Sequence, residues 1–318
     1  EILLSQQSNF WNSPRSFSSI VEFVVFGNSL NGTLPSIYGS WTNLQLVTLS
    51  TNQLTGTLPP AYSNWTKLQR FAIFQNSISG LLPRTFSSWG KLTEFSCQQN
   101  SLSGTLPDSY GGWTSLTTFA ITSNSIGGTI TPAYQQWVML MTFDAGNNQL
   151  TGTLPAEFSR WGSQLKVFFV YNNQLSGRLP PAYSNWTSLS VFWAFSNRLS
   201  RALPEPYGAW SMLTEFQIQQ NSLSSTLPVS YGRWTSLTTF AVTSNSIGGT
   251  LPPVYRLWTM LTDFDSGRNL LIGTLPDDYS QWGSGMKVFY VYNNQLSGSL
   301  PRSYGNWSCC LLYIPILS

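Results

Sequence analysis

Asn52–Trp89 reads NQLTGTLPPAYSNWTKLQRFAIFQNSISGLLPRTFSSW, and its punctuation returns about every 24 residues along the chain. Trp recurs at 41, 65, 89, 113, 137, 161, 186, 210, 234, 258, 282 and 307, with Tyr or Phe three positions before each. Asn keeps the same beat, from Asn28, Asn52 and Asn76 to Asn294. A fixed period of this size marks a solenoid, whose units bury their apolar side only against their neighbours. The 318 residues are therefore read as one elongated domain that grows by stacking.

Within each unit, alternating residues such as Phe71 and Ile73, Phe119 and Ile121, or Phe240 and Val242 form a short inward-facing strand of period two. Strands of successive coils must then run parallel. The Asn after each strand has a donor and acceptors suited to the loop backbone of its own and the adjoining coil. Left unpaired inside, it would cost about 1–3 kcal/mol, so twelve of them form a structural ladder. Gly56, Gly80, Gly104, Gly152, Gly177 and Gly298 sit where the backbone needs freedom from a Cβ, and a Pro then fixes the turn onto the outer wall.

The segment Leu68-x-x-Phe71-x-Ile73-x-x-Asn76-x-Ile78-Ser79-Gly80-x-Leu82-Pro83 resembles the leucine-rich repeat, specifically the subclass common in plant receptor ectodomains. The resemblance runs from about Ile20 to Trp307. Here Tyr and Trp take the two later Leu positions, and this L-P-x-x-Y-x-x-W variant is similar to the repeats of the kinetoplastid promastigote surface antigen family. The resemblance implies an α/β-type repeat with a parallel β-sheet on the concave face, a mostly irregular or 3-10 convex side, and few or no long helices. It also implies surface display and binding of proteins or glycans. The expected divisions are a partial N-terminal cap at 1–19 around Phe10, Trp11 and Phe17, a solenoid of about twelve coils at 20–308, and an atypical tail at 309–318.

A longer repeat is laid over the short one. Trp113-Thr-Ser-Leu-Thr-Thr-Phe-Ala-Ile returns as Trp234-Thr-Ser-Leu-Thr-Thr-Phe-Ala-Val, an offset of 121 residues or five coils. Both blocks carry a one-residue insertion, Gly162-Ser163-Gln164 and Gly283-Ser284-Gly285. It precedes the strand and leaves the inward residues in phase, so it should bulge a loop without breaking the stack. Arg201 and Ser225 replace the usual Gly in consecutive coils; if the position requires positive φ, each costs about 1 kcal/mol, and a shifted or mobile turn is expected around 198–226.

Composition narrows the function. Only 8% of residues are charged and the net charge is +3 with scattered Lys and Arg, which argues against nucleic acid. The chain has no His, removing Ser-His and Cys-His nucleophile systems and the commonest metal ligand, and no phosphate-binding glycine loop or C-x-x-C is present. A non-enzymatic chain without cofactor or metal is expected. Cys97 falls at an inward strand position and reads as packing, whereas the adjacent Cys309 and Cys310 belong to a cap or to a partner. There is no apolar run of 18 residues. Without an initiator Met or a signal-peptide layout at Glu1, the chain reads as a piece of a longer protein, any anchor lying elsewhere.

The ladder Trp and Tyr replace core Leu residues at every coil, so they read as packing. Binding is expected on the outward strand positions, which vary: Ala72 and Phe74, Ser96 and Gln98, Ala120 and Thr122, Asp144 and Gly146, Phe169 and Tyr171, Trp193 and Phe195, Gln217 and Gln219. Phe169, Tyr171, Trp193 and Phe195 thus stand side by side, flanked by Asp144 and Glu215, as a candidate contact for a peptide, protein or glycan. Chain curvature or self-contact covering these rings is the alternative. Asp263, Asp265 and Arg268 form a second constellation, whose default reading is a solvated ion pair. Asn31, Asn64, Asn185 and Asn306 head N-x-[ST] acceptors for glycan, three of them directly before a ladder Trp. Together these features favour a cell-surface or secreted recognition protein, with a receptor-kinase ectodomain as the second reading and an intracellular scaffold as the third.

Overall fold

The computed structural model describes residues 19–307. Twelve three-residue strands, from Glu22–Val24 to Val288–Tyr290, form one parallel sheet in sequence order, one strand per coil. The register keeps the middle residue of each strand opposite the next: Phe71 pairs with Phe95, Phe143 with Phe168, Phe240 with Phe264. These middle side chains point inward, and consecutive Phe rings stack 5.5–5.9 Å apart as a spine beneath the sheet. Across from the sheet, each L-P step leads into a 3-10 turn such as Pro60–Asn64 or Arg84–Ser88. The expected leucine-rich-repeat solenoid is what forms, and the only helical elements described are these 3-10 turns.

The indoles lie between the rungs. Trp65 through Trp282 are at most 1% exposed, and each stacks on the Tyr or Phe three residues before it, as Tyr62 and Trp65 do at 3.9 Å. From Trp65 to Trp258 successive indoles lie 5.9–6.5 Å apart. Burying an indole leaves its N–H needing a partner, and the lower coil supplies it: Trp89 Nε1 donates to Tyr62 O at 2.9 Å, and Tyr110 Oη to Pro83 O at 3.0 Å. The Asn ladder works the same way. Asn173 Nδ2 donates to the Ala145, Val170 and Tyr171 carbonyls, while its Oδ1 accepts from Leu150 N.

Two features go beyond the expected convex side. The S-G-x segments pair coil to coil as further parallel strands, such as Ser101–Thr105 against Ser125–Thr129, giving three shorter sheets in place of irregular chain. The residue before each ladder Asn also adopts a left-handed conformation whatever its type, Gly27 at φ 70° and the others, among them Thr51, Gln75, Asn147 and Arg268, between 47 and 58°.

The insertion is absorbed as expected. Gly162 and Gly283 take φ of 55 and 63° inside lengthened 3-10 segments, and the strands beyond keep register, Thr142 pairing with Val167 and Asp263 with Val288. Arg201 and Ser225 do occupy positive φ, 74 and 77°. The turn is nevertheless not shifted: both residues stay within paired strands, Arg198–Ala202 and Ser222–Thr226. The Gly side of this position normally abuts a Thr methyl of the coil below, as Gly80 does Thr57 and Gly249 does Thr226. Below Ser225 that place is held by the smaller Ala202. Cys97 is fully buried, and burial pushes its thiol up, as a packing residue requires. The expected cap residues Phe10, Trp11 and Phe17, and Cys309 and Cys310, lie outside the described residues.

Candidate functional site

The open side of the long sheet carries the first and third residue of each strand, because successive side chains alternate faces. In Val167–Phe169 and Val191–Trp193 the outward third residues are Phe169 and Trp193, paired directly across the strands. Two residues further on, Tyr171 and Phe195 repeat the juxtaposition. The four rings meet as two stacks, Phe169 on Trp193 at 4.3 Å and Tyr171 on Phe195 at 4.8 Å. The stacks touch edgewise, Phe169 to Tyr171 at 6.1 Å and Tyr171 to Trp193 at 5.9 Å. All four remain partly exposed, since each ring covers part of another. Within the described chain, curvature does not close over them.

The flanking carboxylates are held differently. On one side Trp193 Nε1 donates to Glu215 Oε2 at 3.1 Å, and Gln217 Nε2 donates to the same oxygen at 3.3 Å. On the other, Asp144 lies between Ala120 and Phe169 in the sheet. Its Oδ1 accepts from the Thr122 hydroxyl and from Gly146 N. Burial pushes its carboxyl above the usual carboxylate range, a shift that the two hydrogen bonds oppose. Tyr171 lies flat over Gly146: a Cβ there would sit 2.5 Å from the ring. Gly146 thus makes room for the ring that Asp144 borders.

The duplicated block rebuilds half of this arrangement. Thr243 donates to Asp265, Gly267 N donates to the same oxygen at 3.1 Å, and the Tyr292 ring overlies Gly267. Asp265 stands between Ala241 and Tyr290, and burial raises its carboxyl too. Sequence reasoning treated Asp263, Asp265 and Arg268 as one constellation and passed over Tyr290 and Tyr292. Applying the offset of 121 to Phe169 and Tyr171 finds them. The ion-pair expectation fails: among the described residues Arg268 bridges to neither carboxylate, Asp265 being engaged by Thr243 and Gly267 and Asp263 by the Thr262 hydroxyl.

Ala72, Ser96 and Ala120, expected to face solvent, are closed over, because short side chains lie below the tops of longer neighbours; Ser96 Oγ also donates to Glu94. Asn64 and Asn185 are exposed at the ends of 3-10 turns, and Asn31 is exposed in the strand Asn31–Thr33. Asn306 ends the last described 3-10 turn. Among the described residues no group of three or more potential ligands could hold a metal ion, and no helix is long and apolar enough to cross a membrane. One groove on the convex side is lined by Val229, Pro252, Pro253, Val254 and Leu257, with Arg233 as its single charge; it offers no convergent set of polar groups.

No protein-family model and no curated protein matches the chain. Solved structures do. The plant peptide hormone receptor RGFR1, determined in complex with RGF2, superposes with a TM-score of 0.81 at 27% identity, over 91% of this chain and 50% of the receptor. The ectodomain of the Arabidopsis receptor kinase HAESA, in complex with an IDA peptide hormone, gives a TM-score of 0.82 at 22% identity, over 91% and 52%. A leucine-rich-repeat protein of Leptospira interrogans gives 0.65 at 22%, over 91% and 76%. The chain therefore has the leucine-rich-repeat fold and spans about half the length of the plant receptors it matches.

Proposed function

We propose that this solenoid is the recognition part of a cell-surface or secreted protein, and that its open sheet binds an extended peptide or a peptide-like segment of a protein. The observation that carries this reading is the ring quartet. Phe169, Tyr171, Trp193 and Phe195 stand on adjacent strands of a rigid sheet, partly exposed and stacked into one patch. Aromatic anchors held by rigid neighbours lose little conformational entropy on binding, and contact energy concentrates on such residues. That the plant ectodomains of the same fold are bound to peptide hormones supports a peptide over a glycan.

The chemistry assigned is binding, with no reaction; a chain without His lacks the commonest neutral-pH base. Glycan at Asn31, Asn64, Asn185 and Asn306 belongs to the same reading, because Asn64 and Asn185 stand on the convex wall, away from the open sheet. Two forms of display fit. The Tyr and Trp of the L-P-x-x-Y-x-x-W repeat favour an anchored surface antigen, and the structural neighbours favour a receptor ectodomain. The test is capture: the double variant Trp193→Ser, Phe195→Ser should lose binding of peptides selected on the parent protein while keeping its circular dichroism and melting temperature. Undiminished capture by the folded variant would refute the proposal.

A further inference from the structure

Among the outward positions of the twelve long-sheet strands, carboxylates outnumber basic groups six to one. They are Glu22, Glu94, Asp144, Glu215, Asp263 and Asp265, against Arg70 alone. Arg70 is already taken, its Nε lying 3.0 Å from Glu94. A chain of net charge +3 has thus placed an acidic stripe on the face that carries its exposed rings. A surface that gathers charge of one sign against the sign of the whole molecule favours partners of the opposite sign.

Two of the six carboxylates share one construction. Asp144 and Asp265 each accept a Thr hydroxyl from the preceding coil and their own i+2 backbone N–H through Oδ1. Among the described residues Oδ2 of neither has a hydrogen-bond partner. Each stands between an Ala and an aromatic ring, Ala120 and Phe169 or Ala241 and Tyr290. A Tyr is laid over the glycine two residues on. The carboxylate is thus oriented by the Thr of the preceding coil and by its own backbone, with an Ala on one side, buried in the case of Ala120, and an aromatic ring on the other. Guanidinium and ammonium groups bind in this way, hydrogen-bonded to a carboxylate and set against an aromatic face.

We infer that Asp144 and Asp265 are two copies of one subsite for a basic side chain, and that the peptide bound by this face carries two Lys or Arg residues, one for each copy. The inference rests on the binding reading above and gives it a ligand class. The two carboxylates are five strands apart, about 24 Å along the sheet at the usual strand spacing. An extended peptide crossing the strands covers that distance in about seven residues. The ring quartet lies between them, on the first two strands beyond Asp144. The recognised pattern is therefore a basic residue, apolar or aromatic residues beside it, and a second basic residue about seven positions from the first.

The test is selection of a random twelve-residue peptide library on the purified chain, and on the variants Asp144→Asn, Asp265→Asn and both together. Asn keeps the oxygen that accepts from Thr and Gly, so these variants retain the fold. The parent should enrich peptides with two basic residues about seven apart around an aromatic or aliphatic one. Each single Asn variant should bind such a peptide about tenfold or more weakly and lose its requirement for one of the two basic residues. Enrichment of peptides without basic residues, recovery of no binder, or unchanged affinity in both Asn variants would overturn the inference. If the Asn variants bind unchanged but Trp193→Ser, Phe195→Ser does not, the subsites fall and peptide binding stands. If the ring variant also binds unchanged, the binding face itself is misplaced.

Discussion

Truncating one indole in the middle of the ladder, Trp137→Ala, should cost about 4–6 kcal/mol and split the cooperative unfolding of the chain. Trp137 is fully buried, 3.9 Å from the Tyr134 ring, 4.9 Å from Phe119 and 6.5 Å from the indoles on either side. Removing such a side chain from a core costs about 3–5 kcal/mol through lost burial and the cavity left behind. Its Nε1 also donates to Tyr110 O at 3.0 Å. That carbonyl keeps a second donor, Trp113 N, so the added loss is at the low end, about 1 kcal/mol. In a stack with only nearest-neighbour contacts, the damage falls on the two interfaces of one coil. Loss of that size approaches the whole stability of an ordinary domain. Urea unfolding followed by far-ultraviolet circular dichroism should therefore change from one transition to two. Trp137→Phe, which keeps most of the apolar volume, should cost only about 1–2 kcal/mol and preserve a single transition. A loss under about 1 kcal/mol in Trp137→Ala would show that the indoles do not hold the rungs together.

Two further outcomes follow from the backbone and the face. Arg201→Gly and Ser225→Gly relieve side chains held at φ of 74 and 77°, and each should raise thermal stability by up to about 1 kcal/mol; a decrease would show that these residues are not strained. Burial raises the Asp144 carboxyl above its unfolded value, so the folded chain retains a proton that the unfolded chain has released. Stability therefore falls as pH rises through the folded value, and Asp144→Asn removes that fall. The melting temperature of the variant relative to the parent should be higher at pH 7 than at pH 4, and an equal or reversed difference would contradict the burial of this carboxylate.

What the sequence made legible was whatever repeats in every coil. Trp and Asn return twelve times because each satisfies a buried donor or a buried carbonyl set, and Gly holds the positive φ of the turn in every coil but those of Arg201 and Ser225. The second set of strands was not legible: Ser101–Thr105 is polar and glycine-bearing, and its pairing comes from the stacking of coils, which leaves no alternation to read. The left-handed residue before each Asn was hidden for a related reason, since Thr51, Gln75, Ser123 and Arg268 share no side-chain chemistry and the ladder around them imposes the conformation. On the open face, Phe169, Tyr171, Trp193 and Phe195 stood out as rings where a strand should face water. Their mutual stacking, the Glu215 acceptor and the Tyr over Gly146 depend on contacts between coils and required the structure. Ala72 was misread because burial on this face depends on the heights of neighbouring side chains as well as on the direction a residue points.

The most direct measurement is oxidative footprinting of the tryptophans, with and without a peptide selected on the parent chain. Trp193 lies on the open face, whereas Trp161, Trp186 and Trp210 are buried in the ladder. In the free protein Trp193 should oxidise while those three stay intact, and bound peptide should shield it. Oxidation of Trp193 at the same rate in the complex, or attack on the ladder indoles before it, would contradict the assignment of the ladder to packing and the open sheet to recognition.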